Sequence, residues 1–231
     1  MSRYTQTLDR IGQILESMTK RVVTIRQLYD AGMNEAAQVQ VLRLEECAER
    51  LTLLTRSLPC HTGARSAPDD VAQIIRDTIP VEIGFTTEGW FSIRIPLLLP
   101  KKENGSVNYL RGFLLPALEE FFRDKPLIRY PKCVLIYRHV YARDCPERRY
   151  RDHDNIEINL VSDSVALYTM PDDNPTVCTH FYCSAAGSSE RTEVYVVPKQ
   201  DFVRWLEEEK SMPDQGVALS DFPPISAEKD T

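Results

Sequence analysis

The stretch KCVLIYRHVYA, residues 132–142, carries apolar side chains at both odd and even positions. Successive side chains of a strand point to opposite faces of a sheet, so this pattern describes a strand covered on both sides. A sheet with both faces covered needs helices or further chain above and below it. Working outward, VNYLRGFLLPALEEFFRD (107–124) reads as a helix despite Gly112 and Pro116, and NIEINLVSDSVALYTM (155–170) reads as a second helix. Upstream, Phe91, Ile93, Ile95 and Leu97 alternate with Ser92 and Arg94 after the turn-like TTEGW, which predicts a hairpin. A short helix over 69–78 precedes that hairpin. Downstream, VCTHFYC (177–183) and RTEVYVV (191–197) read as strands, and PKQDFVRWLEEEK (198–210) reads as a closing helix with proline at its start.

The order over residues 80–210 is therefore β-β-α-β-α-β-β-α. The fold class is α+β, a mixed sheet with flanking helices. In front of it, Leu8, Ile11, Leu15, Met18, Val22, Ile25 and Tyr29 recur at helical steps, as do Ala37, Val41, Leu44, Ala48, Leu51 and Thr55. DAGMNE at 30–35 stops one helix and starts the next. Residues 1–57 thus form a helical hairpin, a dimerisation or partner-binding arm. Residues 58–68 read as a linker, 69–210 as the α+β domain and 211–231 as a loose tail.

The 231 residues carry 28 Lys and Arg against 34 Asp and Glu, a formal charge of −6. A general nucleic-acid coat is thereby excluded, and any nucleic-acid contact must come from a local patch. Six scattered cysteines without a C-x-x-C spacing fit reduced thiols in the cytoplasm. The N-terminus has charges inside its apolar pattern, unlike a signal peptide, and IPLLLP at 95–100 is too short to span a bilayer. A soluble, cytoplasmic protein without a membrane partner is expected. No glycine-rich phosphate loop and no Ser-His-Asp order occurs, so no nucleotide cofactor, nucleotide hydrolysis or acyl transfer is expected.

The chemistry concentrates in ERRYRDHDNIEINLV (147–161) and MPDDNP (170–175). Asp152 and Asp154 stand before a helix, and Asp172 and Asp173 follow it. Converging carboxylates suit Mg²⁺, a hard cation that takes oxygen ligands and activates water against a phosphodiester. A sixteen-residue helix spans about 24 Å, so Asp154 and Asp173 meet only if it is shorter, or turns back over 169–175, or if two subunits share the site. The competing reading is structural: Asp154-Asn155-Ile156-Glu157 has the form of a capping box, and PDDNP that of a turn.

Arg151-Asp152-His153-Asp154-Asn155 followed by Asp172-Asp173 resembles the RusA family of Holliday junction resolvases over residues 88–198, and GSVNYLRG (105–112) resembles that family's upstream segment at Ser106, Val107 and Asn108. The resemblance implies a homodimeric, Mg²⁺-dependent endonuclease for branched DNA, acting in recombination and repair, with Asp152, Asp154 and Asp173 as catalytic metal ligands and Asp172 beside them. It also points to bacterial mobile elements. The family's lysine, four residues after the second Asp of the box, is Ile158 here.

Arg138, Arg143, Arg148, Arg149 and Arg151, interleaved with tyrosines, are candidate DNA contacts; the competing reading is a solvated loop paired with its own acids. Cys178, His180 and Cys183, with His153, weigh less as a zinc site, because alternation puts Cys183 on the opposite face from the other two strand residues. Trp90 and Trp205 read as core aromatics. Two functions follow: a branched-DNA nuclease, or a module of the same fold that binds DNA or protein without cutting.

Overall fold

A computed structural model describes residues 2–102, 105–144 and 150–224. It forms two compact units, Met1–Ile74 and Ile75–Thr231, with the division inside a helix.

The first unit is the hairpin. Helix α1 runs Arg3–Asp30 and α2 runs Asn34–Ser57. Ser2 caps α1 through its hydroxyl, which accepts from the Thr5 N–H at 3.1 Å. Gly32 takes φ +72° just past the end of α1, a conformation that costs a residue without Cβ little. The helices meet along Ile11, Ile14, Met18, Ile25 and Leu28 of α1 and Ala37, Leu44, Leu51 and Leu54 of α2, all buried or half-buried, with Arg21 reaching Gln40 at 2.9 Å. Residues 58–68 are more structured than a linker: a 3-10 turn occupies Pro59–Thr62, and α3 starts at Ala67 and runs to Thr78.

The second unit is a five-stranded mixed sheet in the order β1-β2-β5-β3-β4. Its strands are β1 Glu82–Phe85, β2 Phe91–Ile95, β3 Cys133–Ala142, β4 Cys178–Gly187 and β5 Arg191–Pro198. β1 and β2 form the expected hairpin, with Phe85 opposite Phe91 and Gly89 at φ +86° in its turn. β3 is buried from Cys133 to Tyr141. β4 lies parallel to it on one side and β5 antiparallel on the other, so β4 and β5 are consecutive in sequence but not paired. The parallel pair requires a crossover, supplied by α5, Asn159–Thr169.

Helix α4, Ser106–Phe122, and α5 cover one face. Phe85, Phe91, Phe121, Phe122 and Tyr168 form a chain of ring contacts from sheet to helices. Helix α6, Phe202–Glu209, covers the other face, where Trp90, Tyr195 and Trp205 are buried with Val134, Ile136 and Val197.

Two expectations change here. Residues 211–224 are not loose. Ser220 bridges Phe85 through backbone hydrogen bonds of 2.9 and 2.8 Å, the Val217 carbonyl accepts from Arg94, and Asp214 holds Arg143. This segment meets the side of β2 that alternation left to solvent, at Arg94, and Ser92 on that same side is buried. Residues 225–231 lie outside the described part. Helix α5 is also shorter than 155–170, because backbone hydrogen bonds tie residues 155 and 157 to 100–102.

Candidate functional site

The box 151–158 is an extended strap, with one 3-10 turn at His153–Asn155. Its backbone is tied to 100–102: Glu157 N–H donates to Pro100 at 2.9 Å, and Lys102 N–H donates to Asn155 at 2.9 Å. Those bonds hold 155–157 out of the helix, so the expected capping box does not form. Asp154 lies within the 3-10 turn and Asp152, at its N-cap position, makes no side-chain cap. Both are exposed. Arg151 donates from its backbone to Tyr141 Oη at 3.0 Å and from its guanidinium to the Leu99 carbonyl.

His153 points the other way. Its ring lies 5.6 Å from those of His139 and Tyr182, nearly parallel to both, and Nε2 is 3.3 Å from Ser184 Oγ. His139 is buried, and neither of its ring nitrogens has a partner among the described residues. Burial, with the charges of His153 and Arg151, pushes its pKa down to about 4.

Ile158 stands where the resemblance expects lysine. It is 7% exposed, and its carbonyl accepts from Ser162 N–H at 2.8 Å and Tyr137 Oη at 3.3 Å. The position is committed to the core between α5 and β3.

With α5 at eleven residues, about 16 Å long, the chain does turn back after it. Asp172 organises that turn: its carboxylate accepts from Asp173 N–H at 2.8 Å and Asn174 Nδ2 at 2.6 Å. Those hydrogen bonds, Asn174 first, hold its carboxyl below the usual range, so its oxygens serve the turn. Asp173 returns to Asp163, in the second turn of α5. The Asp163 carboxyl is raised by burial, then by the charge and hydrogen bond of Asp173, then by the charge of Glu157. Glu157 is 6% exposed, and its Oε1 lacks a partner among the described residues.

The turn therefore brings Asp173 to Asp163, a residue the sequence reasoning passed over. Its only signal was a carboxylate one helical turn after Asn159. Among the described residues, no three carboxylate, imidazole or thiol side chains are grouped to hold a metal ion. Asp152, Asp154 and Asp173 of one chain thus do not fit Mg²⁺ as a shared set.

The candidate DNA contacts divide. Arg138 is not at the surface: it donates to Glu209 at 2.9 Å and Glu193 at 3.1 Å, with its side chain 8% exposed. The parity of β3 explains this, since Arg138 faces α6 while His139 faces His153. Arg143 is exposed and bidentate to Asp214 at 3.2 and 2.9 Å. Arg143→Ala is expected to lower stability by less than about 1 kcal/mol in urea unfolding, as exposed ion pairs do. Arg148 and Arg149 lie outside the described residues. A cavity of about 160 Å³ is lined by Arg138, Arg143 and Arg191 with Asp214, but each arginine already has a carboxylate partner, so it is no strong anion trap.

Cys178 and His180 share a face and Cys183 takes the other, as alternation requires. The neighbour of Cys178 is its register partner Cys133. A hydrogen bond from Cys133 lowers the Cys178 thiol, while the same bond and burial raise that of Cys133. Among the described residues, no helix is long and apolar enough to cross a membrane.

A model of the family DUF6100, described as a family of unknown function, matches residues 1–221, both structural units included. The chain belongs to DUF6100. The match spans hairpin and sheet together. No curated protein matches the chain.

Proposed function

We propose that this chain is a non-catalytic assembly module: a RusA-like α+β body carried on a self-associating helical arm. One observation carries the reading. Half of the apolar stripe of α1 does not face α2. Leu8, Leu15, Val22 and Tyr29, spaced by seven, are 46%, 48%, 49% and 70% exposed. A line of large apolar side chains at heptad spacing is a coiled-coil seam that lacks its second helix. A second copy supplies one: α1 against α1 in antiparallel sense sets Leu8 opposite Tyr29 and Leu15 opposite Val22, and two hairpins so joined make a four-helix bundle.

Light scattering on the full chain should give a multiple of 26.5 kDa. Leu15→Glu with Val22→Glu should halve that mass and leave far-ultraviolet circular dichroism unchanged. A mass unaffected by the pair overturns the arm.

The nuclease reading has one observation of its own, the return of Asp173 to α5 beside Asp163. It requires the missing ligands to come from a second subunit. Incubation with a synthetic four-way junction and Mg²⁺ is expected to leave the DNA intact with the parent and with Asp154→Asn. Cleavage by the parent alone would instead make Asp154 part of a working site and overturn the non-catalytic reading.

A further inference from the structure

The two edges of the sheet are treated differently. β1 is four residues long, starts with Glu82, and has Ser220 bridged to Phe85. β4 is ten residues long and reads CTHFYCSAAG, without a charge or a proline. β3 pairs along its whole length on one side, and among the described residues no strand or bridge lies on the other. Soluble proteins usually blunt such an edge with lysine, proline, a bulge or brevity. β4 has none of these.

The side chains of β4 also have a direction. His180, Phe181 and Tyr182 are bulky, and Ser184, Ala185 and Ala186 are small, with Cys183 between them. Two copies related by a dyad through Cys183 and normal to the sheet run antiparallel. Opposed residues then share a face, as antiparallel pairing demands. Tyr182 meets Ser184 of the second copy, Phe181 meets Ala185, His180 meets Ala186 and Thr179 meets Gly187. Every bulky side chain is set against a small one, and no charge opposes another. Parallel pairing in register would stack bulk on bulk. Phe181 already lies 5.1 Å from the Phe202 ring of α6, and the next residue, Val203, is 67% exposed.

We propose that the outer edge of β4 pairs antiparallel with β4 of a second copy about a dyad at Cys183, joining two five-stranded sheets into one. The contact is isologous and closed. It is separate from the seam on α1 and does not depend on it.

Two measurements on the full chain test it. Thr179→Lys with Ala186→Lys places charges on two exposed positions of the edge. By light scattering the lysines should halve the mass of the chain that receives them, both with the native α1 and in the Leu15→Glu, Val22→Glu background. Ala186→Ser should keep the parent's mass, so a fall caused by Lys is not a general intolerance of the site. Dibromobimane, which bridges nearby thiols, should give a covalent dimer with Cys60→Ser, whose exposed thiol would otherwise compete, and none once Cys183→Ser is added. A mass unchanged by the lysines in both α1 backgrounds overturns the edge contact. Halving by the lysines without any Cys183-dependent dimer overturns the dyad at Cys183. Loss of mass through the α1 substitutions alone supports the arm and not the edge, so the two contacts fail separately.

Discussion

Glu193→Ala is expected to destabilise the sheet unit by about 3–5 kcal/mol, the range for removing one partner of a buried charge pair. Glu193 is 1% exposed and accepts three bonds: from Arg138 Nη1 at 3.1 Å, Arg191 Nε at 2.6 Å and Tyr195 Oη at 2.9 Å. Both arginine side chains are under 10% exposed. Alanine would leave Arg191 without its ion-pair partner and Arg138 with Glu209 alone. Glu193→Gln keeps the shape and part of the hydrogen bonding, so it should cost less. Urea unfolding followed by tryptophan fluorescence reports this unit directly, because both tryptophans, Trp90 and Trp205, lie in its core. A loss below about 1 kcal/mol for Glu193→Ala would show that the network contributes little net stability.

The second large effect is a loss of stability in acid. The folded pKa of His139, about 4, lies below its unfolded value near 6.5. A depressed folded pKa means that the fold disfavours the imidazolium. Above pH 6.5 both states are neutral at this position and stability is complete. As pH falls from 6.5 to 4 the unfolded chain takes up the proton first, and about 3 kcal/mol is lost by pH 4. Burial is the main cause, followed by the charges of His153 and Arg151. His139→Phe keeps a ring beside His153 and cannot titrate, so it should flatten this part of the profile. Equal slopes for parent and variant between pH 6.5 and 4.5 would remove His139 as the source.

The order of elements is legible in the sequence because it rests on local pattern. Residues 132–142 are apolar on both faces and become a buried strand, and DAGMNE separates two helices. The hairpin at TTEGW is specified by its own glycine. Candidate-site residues were less legible. Arg138 and His139 are adjacent and look equally basic, yet the strand's parity sends one to Glu193 and the other to His153. Asp154 has the sequence of a helix cap, but backbone bonds from 100–102 claim the strap before a helix can start there. Asp163 gave almost no signal, because only the turn at Asp172 brings Asp173 back to it.

By itself the sequence determined the α+β class, the helical hairpin and the central strand, since each depends on neighbours within a few residues. Tertiary structure alone decided which half of the α1 stripe stays exposed, that residues 211–224 cover the sheet, that β4 and β5 flank β3, and that no strand among the described residues pairs with the outer edge of β4. Those outcomes depend on contacts between residues far apart in the chain, and periodicity states which face a side chain takes but not what will cover it.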